Sequence, residues 1–251
     1  MAKQILLIDT ETNKENEVFD IGFIIGDKKG NISEKGQYIL FDEFQKKIFY
    51  EKKRNLYINY INDGIAKVET VSTVFQRLTN LIRHYNVKEV WAYNGTFDYT
   101  KFEDLSIKHS TQNPIGHLKH QCVWSKVVQT IGTSKKFQKW VEENNLLSAK
   151  GITPTNAEIM YAFLTENPHY QEEHTSLADC EIEYELLVNA FKKRTPCFDG
   201  ISNNVWLLAQ AEEQIADIPE QFKRLIVPAG QEEKAKKMLE YHKKNLQITI
   251  K

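Results

Sequence analysis

The sequence predicts an α/β protein in which helices cover a mixed sheet. Two observations support this fold class. The first is a strand-rich start, with apolar or β-branched runs at residues 3–10, 18–26 and 37–41. Short polar segments separate these runs, as they do in hairpins. The second observation is a later alternation of helical and strand patterns, which finally gives way to helices alone.

The helical pattern begins after the three runs. Apolar side chains recur at helical spacing within residues 71–85, and an apolar strand follows at residues 89–94. A short helix is expected at residues 97–105. A longer helix is expected from about Ser176 to Lys193, where apolar residues again recur at helical spacing.

Turn-forming dipeptides near the end of this long helix predict a domain boundary. They are Thr195-Pro196 and Asp199-Gly200. We therefore expect one domain at residues 1–195 and a C-terminal α/β extension at residues 196–251, whose role the sequence does not assign. The extension contains two helical patterns and two strand-like runs, at residues 204–216, 231–244, 224–227 and 246–250.

Two acidic residues end the first apolar run. Asp9 and Glu11 are two positions apart, and residues with this spacing on a strand point to the same face. Both carboxylates would therefore project together. Taken alone, such a pair is more often the polar end of a strand that reaches solvent than a metal site.

A third acidic residue, Asp98, follows the strand at residues 89–94. Gly95 permits a turn after this strand, which places Asp98 in the first turn of the next helix. An acid in that position also stabilises the helix dipole. Without other evidence, Asp98 would therefore be assigned a structural role.

His174 and Asp179 stand at the start of the long helix. Five positions on one helix are about 140° apart, so both side chains reach one site only if His174 lies in the preceding loop. The alternative is a capping box, with Ser176 as the N-cap and Asp179 three residues later. That alternative explains Asp179 and leaves His174 as a surface residue.

Taken together and in this order, the motifs resemble those of the DEDDh family of 3′→5′ exonucleases. This family includes ribonuclease T, oligoribonuclease and the proofreading subunits of bacterial replicative polymerases. The matching segments are Asp9-Thr-Glu11, Phe19-Asp-Ile-Gly22, Asp27-Lys-Lys-Gly30, Asn94-Gly-Thr-Phe-Asp98 and His174-Thr-Ser-Leu-Ala-Asp179. The resemblance covers about residues 4–193 and implies a ribonuclease-H-like fold, with helices on both sides of a mixed five-stranded sheet.

The resemblance also implies a site for two Mg²⁺ or Mn²⁺ ions, held by Asp9, Glu11, Asp98 and Asp179. Asp9 would bridge both ions, and Asp98 would serve one of them. Glu11 and Asp179 would complete the other, which carries the nucleophilic water. His174 would deprotonate that water, since an imidazole exchanges protons near neutral pH.

The substrate implied by the resemblance is the 3′ end of single-stranded DNA or RNA, with release of nucleoside monophosphates. Thr10, Thr12 and Phe97 are candidates to pack on the terminal nucleoside, and Asn94 to hold its sugar or backbone. For Phe97, a place in the core is nearly as good an explanation. The chain departs from the family after Thr12, where residues 13–17 replace a turn that often contains glycine.

The net charge of the chain favours some classes of nucleic-acid-binding protein over others. The 251 residues include 33 Lys or Arg and 34 Asp or Glu, for a formal net charge of −1. This balance suits an enzyme that binds a few nucleotides better than a protein that covers long duplex DNA. Lysine-rich segments, of which residues 51–54 are one, are more often solvated surfaces than phosphate contacts.

Composition also predicts the compartment. No apolar run approaches the roughly 20 residues of a membrane helix, and the three cysteines form no CxxC pair. We therefore expect a cytoplasmic protein without a membrane partner. The oligomeric state is left open, with a homodimer as one alternative.

Two other functions are compatible with this fold. A catalytically silent nucleic-acid-binding or scaffold module would be indicated by a missing carboxylate, and none of the four is missing. An endonuclease of the same broad fold would not share the spacing of His174 and Asp179.

Overall fold

The computed structural model describes residues 3–45, 51–149, 151–193, 224–227 and 247–250. Clustering of the Cα positions divides the chain into two compact units. The first comprises Met1–Gln121 and Gln171–Glu185, and the second comprises Cys122–Tyr170 and Leu186–Lys251. The predicted boundary after residue 195 lies outside the described residues.

A six-stranded mixed sheet forms the centre of the first unit. Its strands are Gln4–Thr12 (β1), Val18–Asp27 (β2), Ile32–Leu40 (β3), Ala66–Glu69 (β4), Glu89–Ala92 (β5) and Lys119–Cys122 (β6). They lie in the order β4-β3-β2-β1-β5-β6. β2 is antiparallel to β1 and β3, whereas β5 is parallel to β1 and β4 is parallel to β3. This topology is compatible with a ribonuclease-H-like fold.

The α/β fold class is confirmed, but the sheet has six strands where five were predicted. β4 has only one buried side chain, that of Ala66. β6 consists of Lys119, His120, Gln121 and Cys122. The four residues of β4 alternate between apolar and polar, but the segment is short and Val68 is exposed, and β6 does not alternate. Both are strands because of the neighbour that each pairs with, and side-chain patterns do not record that pairing.

The helices within the described residues are Phe41–Phe44 (α1), Glu51–Asn62 (α2), Val71–His84 (α3), Thr96–Lys108 (α4), Val123–Val127 (α5), Lys135–Glu143 (α6), Ala157–Leu164 (α7) and Ser176–Lys192 (α8). A π-helical turn at Val128–Gly132 follows α5. Within the described part of the chain, no helix combines the length and apolar character needed to cross a membrane.

Two strands of the predicted extension are present, Arg224–Val227 (β7) and Gln247–Ile250 (β8), which pair in parallel. They match the strand-like runs predicted from the sequence. The helices predicted at residues 204–216 and 231–244 lie outside the described residues. The role of the extension stays unassigned.

The main core lies between the sheet and the helices α3 and α4. α3 contributes five buried apolar side chains at helical spacing, namely Val71, Val74, Phe75, Leu78 and Ile82. They pack in one cluster with Leu6 and Ile8 of β1 and Phe102 of α4. The rings of Phe75 and Phe102 are stacked, with centroids 5.4 Å apart. This packing fixes the face of β1 that carries Leu6 and Ile8 towards α3 and α4.

The start of α8 covers the other face of the sheet at Gly22. Gly22 pairs with Asp9 across β1 and β2. A Cβ atom at Gly22 would collide with the backbone carbonyl of Ser176 and would lie 2.6 Å from the nitrogen of Leu177. The absence of a side chain at Gly22 therefore lets α8 begin directly beside Asp9, and helices flank both faces of the sheet as predicted.

Replacing Gly22 by Ala should lower the free energy of unfolding by about 1–3 kcal/mol or more, because the added methyl group displaces backbone rather than a flexible side chain. Urea denaturation of the full chain would measure the change. Gly116→Ala is the matched control, since a Cβ there meets its nearest neighbour, in Asn113, at an ordinary 3.7 Å. A Gly22→Ala protein as stable as the control would contradict the close approach of α8.

Candidate metal centre

Asp9 and Glu11 lie near the end of β1, on the strand face opposite to Leu6 and Ile8. Both therefore project to the side where α8 begins, as the spacing in the sequence predicted. The register of β1 against β2 shifts between Glu11 and Thr12. This irregularity ends the regular pairing directly after the second acidic residue.

Asp98 lies in the first turn of α4, as predicted, and is only 2% exposed. The Thr10 hydroxyl donates a hydrogen bond of 2.7 Å to Asp98 Oδ1. Thr10 is itself buried. The Thr10 hydroxyl thus orients the Asp98 carboxylate. The predicted contact between Thr10 and the terminal nucleoside stays a prediction.

The start of α8 is held by Asp20, a buried residue of β2. Asp20 Oδ1 accepts a hydrogen bond from the Ser176 hydroxyl at 2.6 Å, and Oδ2 accepts one from the Ser176 backbone N–H at 3.0 Å. Gln37 and Tyr57 also donate to Oδ2. Burial raises the pKa of Asp20, and these hydrogen bonds oppose that rise because they stabilise the anion.

The capping box considered as an alternative is not formed. Ser176 is the first residue of α8, and its hydroxyl is directed to Asp20 on another element. The backbone N–H of Asp179 donates to the carbonyl of Thr175 at 2.9 Å. Asp179 therefore belongs to the first turn of α8 without a cap from Ser176, and its side chain is available to the site.

His174 lies in the loop before α8, as predicted, with a left-handed backbone (φ 56°). Its side chain is 57% exposed, and Nδ1 lies 3.6 Å from Glu172 Oε2. Lys53 of α2 donates a hydrogen bond of 2.5 Å to the His174 carbonyl. Tyr60 of the same helix donates to Glu173. Two contacts with α2 thus hold the loop that carries His174.

Three of the five predicted catalytic residues form a compact group that could hold a metal ion. One potential ligand atom from each of Glu11, His174 and Asp179 lies within 4.8 Å of the other two. Asp9 and Asp98 lie outside this group. His174, predicted as a proton acceptor, is thus also placed where it could be a ligand.

Asp9 and Asp98 are nevertheless linked to the group through their charges. Burial raises the pKa of Asp9 well above its ordinary value, and the charges of Asp98, Glu183, Asp179 and Glu11 raise it further, in that order of influence. The site is therefore an acidic centre in which carboxylates from β1, α4 and α8 repel one another.

Burial is also the main cause that raises the pKa of Glu11, Asp98 and Asp179, in each case to about 7. Lys53 lowers the pKa of Glu11 and of Asp179, and Thr10 lowers that of Asp98. At neutral pH these carboxylates hold protons part of the time. A divalent cation would replace the protons and stabilise the ionised form.

Two residues of the centre were missed by sequence reasoning. Glu183 follows Asp179 by four positions, which places both on one face of α8, and this spacing was a usable signal. Lys53, whose Nζ lies 3.8 Å from Glu11 Oε1, was assigned to a solvated lysine-rich segment. No local sequence pattern distinguishes Lys53 from the neighbouring lysines. Lys53 reaches the loop of His174 only because of how α2 packs.

The remaining predicted substrate contacts are Thr12 at the end of β1, Asn94 after β5 and Phe97 in the first turn of α4. Thr12 follows the register shift in β1 and is half-buried. Asn94 is exposed and has a left-handed backbone (φ 54°). Phe97 is 40% exposed, with Lys101 Nζ 5.3 Å from its ring centroid. Phe97 is therefore not a core residue, which was the alternative considered for it.

The set of donor atoms suits hard divalent cations. Mg²⁺ and Mn²⁺ prefer carboxylate oxygens, and the buried atom Asp179 Oδ1 has no hydrogen-bond partner among the described residues. A scan against protein-family models and a search of the curated proteins each found no match. The evidence for the centre is therefore the residues themselves and their geometry.

The metal-free protein should lose stability as the pH rises from about 5 to about 8. The folded-state pKa values of Glu11, Asp98 and Asp179, at about 7, exceed the ordinary values of these groups. The folded state thus binds protons more tightly than the unfolded chain. The resulting stability is fully present below about pH 4 and is lost as the pH rises through about 7.

Thermal unfolding in chelator and in excess Mg²⁺ would measure this dependence. Mg²⁺ should restore most of the stability on the alkaline side, where the carboxylates are ionised. An Asp98→Asn, Asp179→Asn double variant should show a weaker pH dependence in chelator, while Glu181→Gln, at an exposed ion pair with Lys35, should keep the wild-type one. A chelated wild-type protein that gains stability over this range would contradict the raised pKa values.

Proposed function

We propose that the protein is a metal-dependent 3′→5′ exonuclease that hydrolyses single-stranded nucleic acid and releases nucleoside monophosphates. One observation carries this proposal. Carboxylates from β1, α4 and α8 converge closely enough for the charges of Asp98 and Asp179 to raise the pKa of Asp9, and His174 lies beside Glu11 and Asp179. Buried acids that repel one another lower the stability of a fold, and such clusters are typical of sites that bind cations.

The residues that would hold two Mg²⁺ or Mn²⁺ ions are Asp9, Glu11, Asp98 and Asp179. When bound, such ions neutralise phosphate charge, lower the pKa of water and stabilise the leaving oxygen. The chain contributes rigidity to this site. Asp20 holds the start of α8, and Thr10 holds Asp98, so that the carboxylates are oriented before substrate binds.

His174 is the proposed proton acceptor. The Glu172 carboxylate beside Nδ1 favours a proton on that nitrogen, which leaves Nε2 free to take the proton of the attacking water. The ring is more than half exposed, so it can pass the proton on to solvent. The contact between Lys53 and the His174 carbonyl restrains the loop without occupying the ring.

Phe97 is the proposed platform for the terminal base. An exposed aromatic ring stacks on any base without reading its identity. The ammonium group of Lys101 lies 5.3 Å from the ring centroid and donates to the Asn16 carbonyl, so that it adds a fixed positive charge beside the ring. This combination supports a substrate class of single strands, whose bases are free to stack.

In a direct test, single-stranded DNA and RNA labelled at the 5′ end should each be offered with Mg²⁺ and with chelator. We expect a ladder of shortened products with Mg²⁺, since a site that holds the 3′ end removes one nucleotide at a time. We expect no products with chelator, because the reaction requires the bound ions. A 3′-phosphate should slow the reaction. Asp98→Asn and Asp179→Asn should abolish the ladder, whereas the control Glu181→Gln, at an exposed position of the same helix, should retain it.

Two outcomes of this assay would count against the proposal. Rapid cleavage of a closed circular single strand would indicate an endonuclease, because a circle offers no 3′ end. Binding of linear strands without cleavage in Mg²⁺ or Mn²⁺ would instead favour the catalytically silent module.

His174→Ala should reduce kcat by about 10²–10⁴-fold, the usual contribution of a positioned proton acceptor. KM and the affinity for Mn²⁺ should change little, because the carboxylates that bind the ions stay in place. His117→Ala, at an exposed position, is the matched control. An unchanged kcat would remove His174 from the reaction, and a large loss of Mn²⁺ affinity would make it a ligand.

A further inference from the structure

Helix α2 carries three polar side chains on one face, and none of the recognised motifs includes this helix. Lys53, Tyr57 and Tyr60 stand at positions i, i+4 and i+7. This spacing places them in one row along the helix. Each of the three donates a hydrogen bond either to the loop of His174 or to Asp20, which holds the start of α8. The row therefore faces the junction between this loop and α8.

Tyr57, the middle residue of the row, fixes α2 against the sheet. Its side chain is fully buried, and its ring packs edge-on against Phe19 of β2, with centroids 5.3 Å apart. The Tyr57 hydroxyl donates a hydrogen bond of 2.9 Å to Asp20 Oδ2, the oxygen that also accepts the backbone N–H of Ser176. One buried carboxylate thus ties both α2 and the first residue of α8, which gives α2 a fixed position beside the loop.

The two outer residues of the row reach the loop itself. The Lys53 ammonium group donates a hydrogen bond of 2.5 Å to the His174 carbonyl, and the same Nζ lies 3.8 Å from Glu11 Oε1. The Tyr60 hydroxyl donates to Glu173 Oε1. The contacts with α2 therefore hold His174 through its backbone and the preceding residue through its side chain.

The conformation of His174 depends on its surroundings. Its φ of 56° lies in the left-handed region, which is costly for a residue with a side chain and persists where neighbouring structure imposes it. The ring itself is weakly held, because Nδ1 lies 3.6 Å from Glu172 Oε2, beyond the length of a hydrogen bond. The direction of the imidazole therefore follows from the backbone conformation that the contacts with α2 restrain.

We propose that Lys53 and Tyr60 are positioning residues, which hold the His174 ring in the orientation that accepts a proton from the attacking water. The inference rests on the proposed function, in which His174 is that proton acceptor. A proton acceptor must lie within hydrogen-bond reach of the proton that it removes, and a displacement of about 1 Å can lower a rate by about 100-fold. Neither residue has to touch the substrate in this role.

A kinetic double-mutant cycle tests the proposal in the full chain with Mg²⁺, on whichever labelled single strand, DNA or RNA, wild type hydrolyses faster. Tyr60→Phe, which removes only a hydroxyl, and Lys53→Met should each lower kcat by about tenfold with little change in KM. In a His174→Ala background, neither change should lower kcat further. Residues that act through one group lose their effect when that group is absent.

Two matched controls remove similar contacts elsewhere and should keep the wild-type kcat. Tyr85→Phe removes a surface hydrogen bond of 3.4 Å to the Ser33 carbonyl. Lys35→Met removes an exposed ion pair with Glu181 of α8.

The kinetic outcomes separate this inference from the proposed function. If Tyr60→Phe and Lys53→Met keep the wild-type kcat, positioning is overturned and the exonuclease proposal stands. A variant that loses the same factor with and without His174 acts on the fold or on the carboxylates, which overturns positioning by that residue. A raised KM at unchanged kcat would make Lys53 a substrate contact instead. If wild type hydrolyses neither strand, the proposed function and this inference are both overturned.

Hydrogen exchange followed by mass spectrometry tests the restraint without any reaction. The backbone amides of residues 172–176 should exchange about 3- to 10-fold faster in Tyr60→Phe and in Lys53→Met than in wild type, the factor expected for one lost hydrogen bond. The amides of α3 should keep their wild-type rates. Unchanged exchange in the loop would overturn the restraint, and faster exchange in α3 as well would assign the two residues to the fold instead.

Discussion

The hydrogen bonds between Asp20 and Ser176 connect the sheet to α8, the helix that carries Asp179 and follows the loop of His174. Asp20 lies within β2, and Ser176 opens α8, 156 positions later in the chain. Because Gly22 has no side chain, the helix approaches close enough for the contact to form. The positions of His174, Asp179 and Glu183 all follow from where α8 begins. The candidate site therefore depends on one buried carboxylate that is not itself part of it.

Repulsion among the other buried carboxylates opposes folding. Asp9, Asp98 and Glu183 are removed from water, and the pKa of each rises because burial disfavours ionisation. Neighbouring acidic charges raise the pKa of Asp9 and of Glu183 further. A protein selected for stability alone would replace such residues with apolar ones. The main core of β1, α3 and α4 and the Asp20 hydrogen bonds offset this cost. The repulsion among the buried carboxylates is relieved when cations neutralise the centre, or when protons do so in the absence of cations.

Much of the site was predictable because its signals are local. The alternation in β1 places Asp9 and Glu11 on one face, and the strand-turn-helix pattern places Asp98 in a first turn. The strands β4 and β6 were not predicted, since each has only four residues and β6 lacks apolar alternation. The sequence around Ser176 also matched the local pattern of a capping box. In the structure, however, the Ser176 hydroxyl donates its hydrogen bond to Asp20, which is distant in the sequence.

The sequence by itself determined the fold class, the elements that carry the acidic motifs and the loop position of His174, because periodicity and turn residues act within a few positions. Only the tertiary structure decided which distant groups meet. Lys53 reaches the His174 carbonyl across 121 positions, and the charge of Glu183 on α8 raises the pKa of Asp9 on β1. Such contacts depend on how whole elements pack, and no local propensity encodes them.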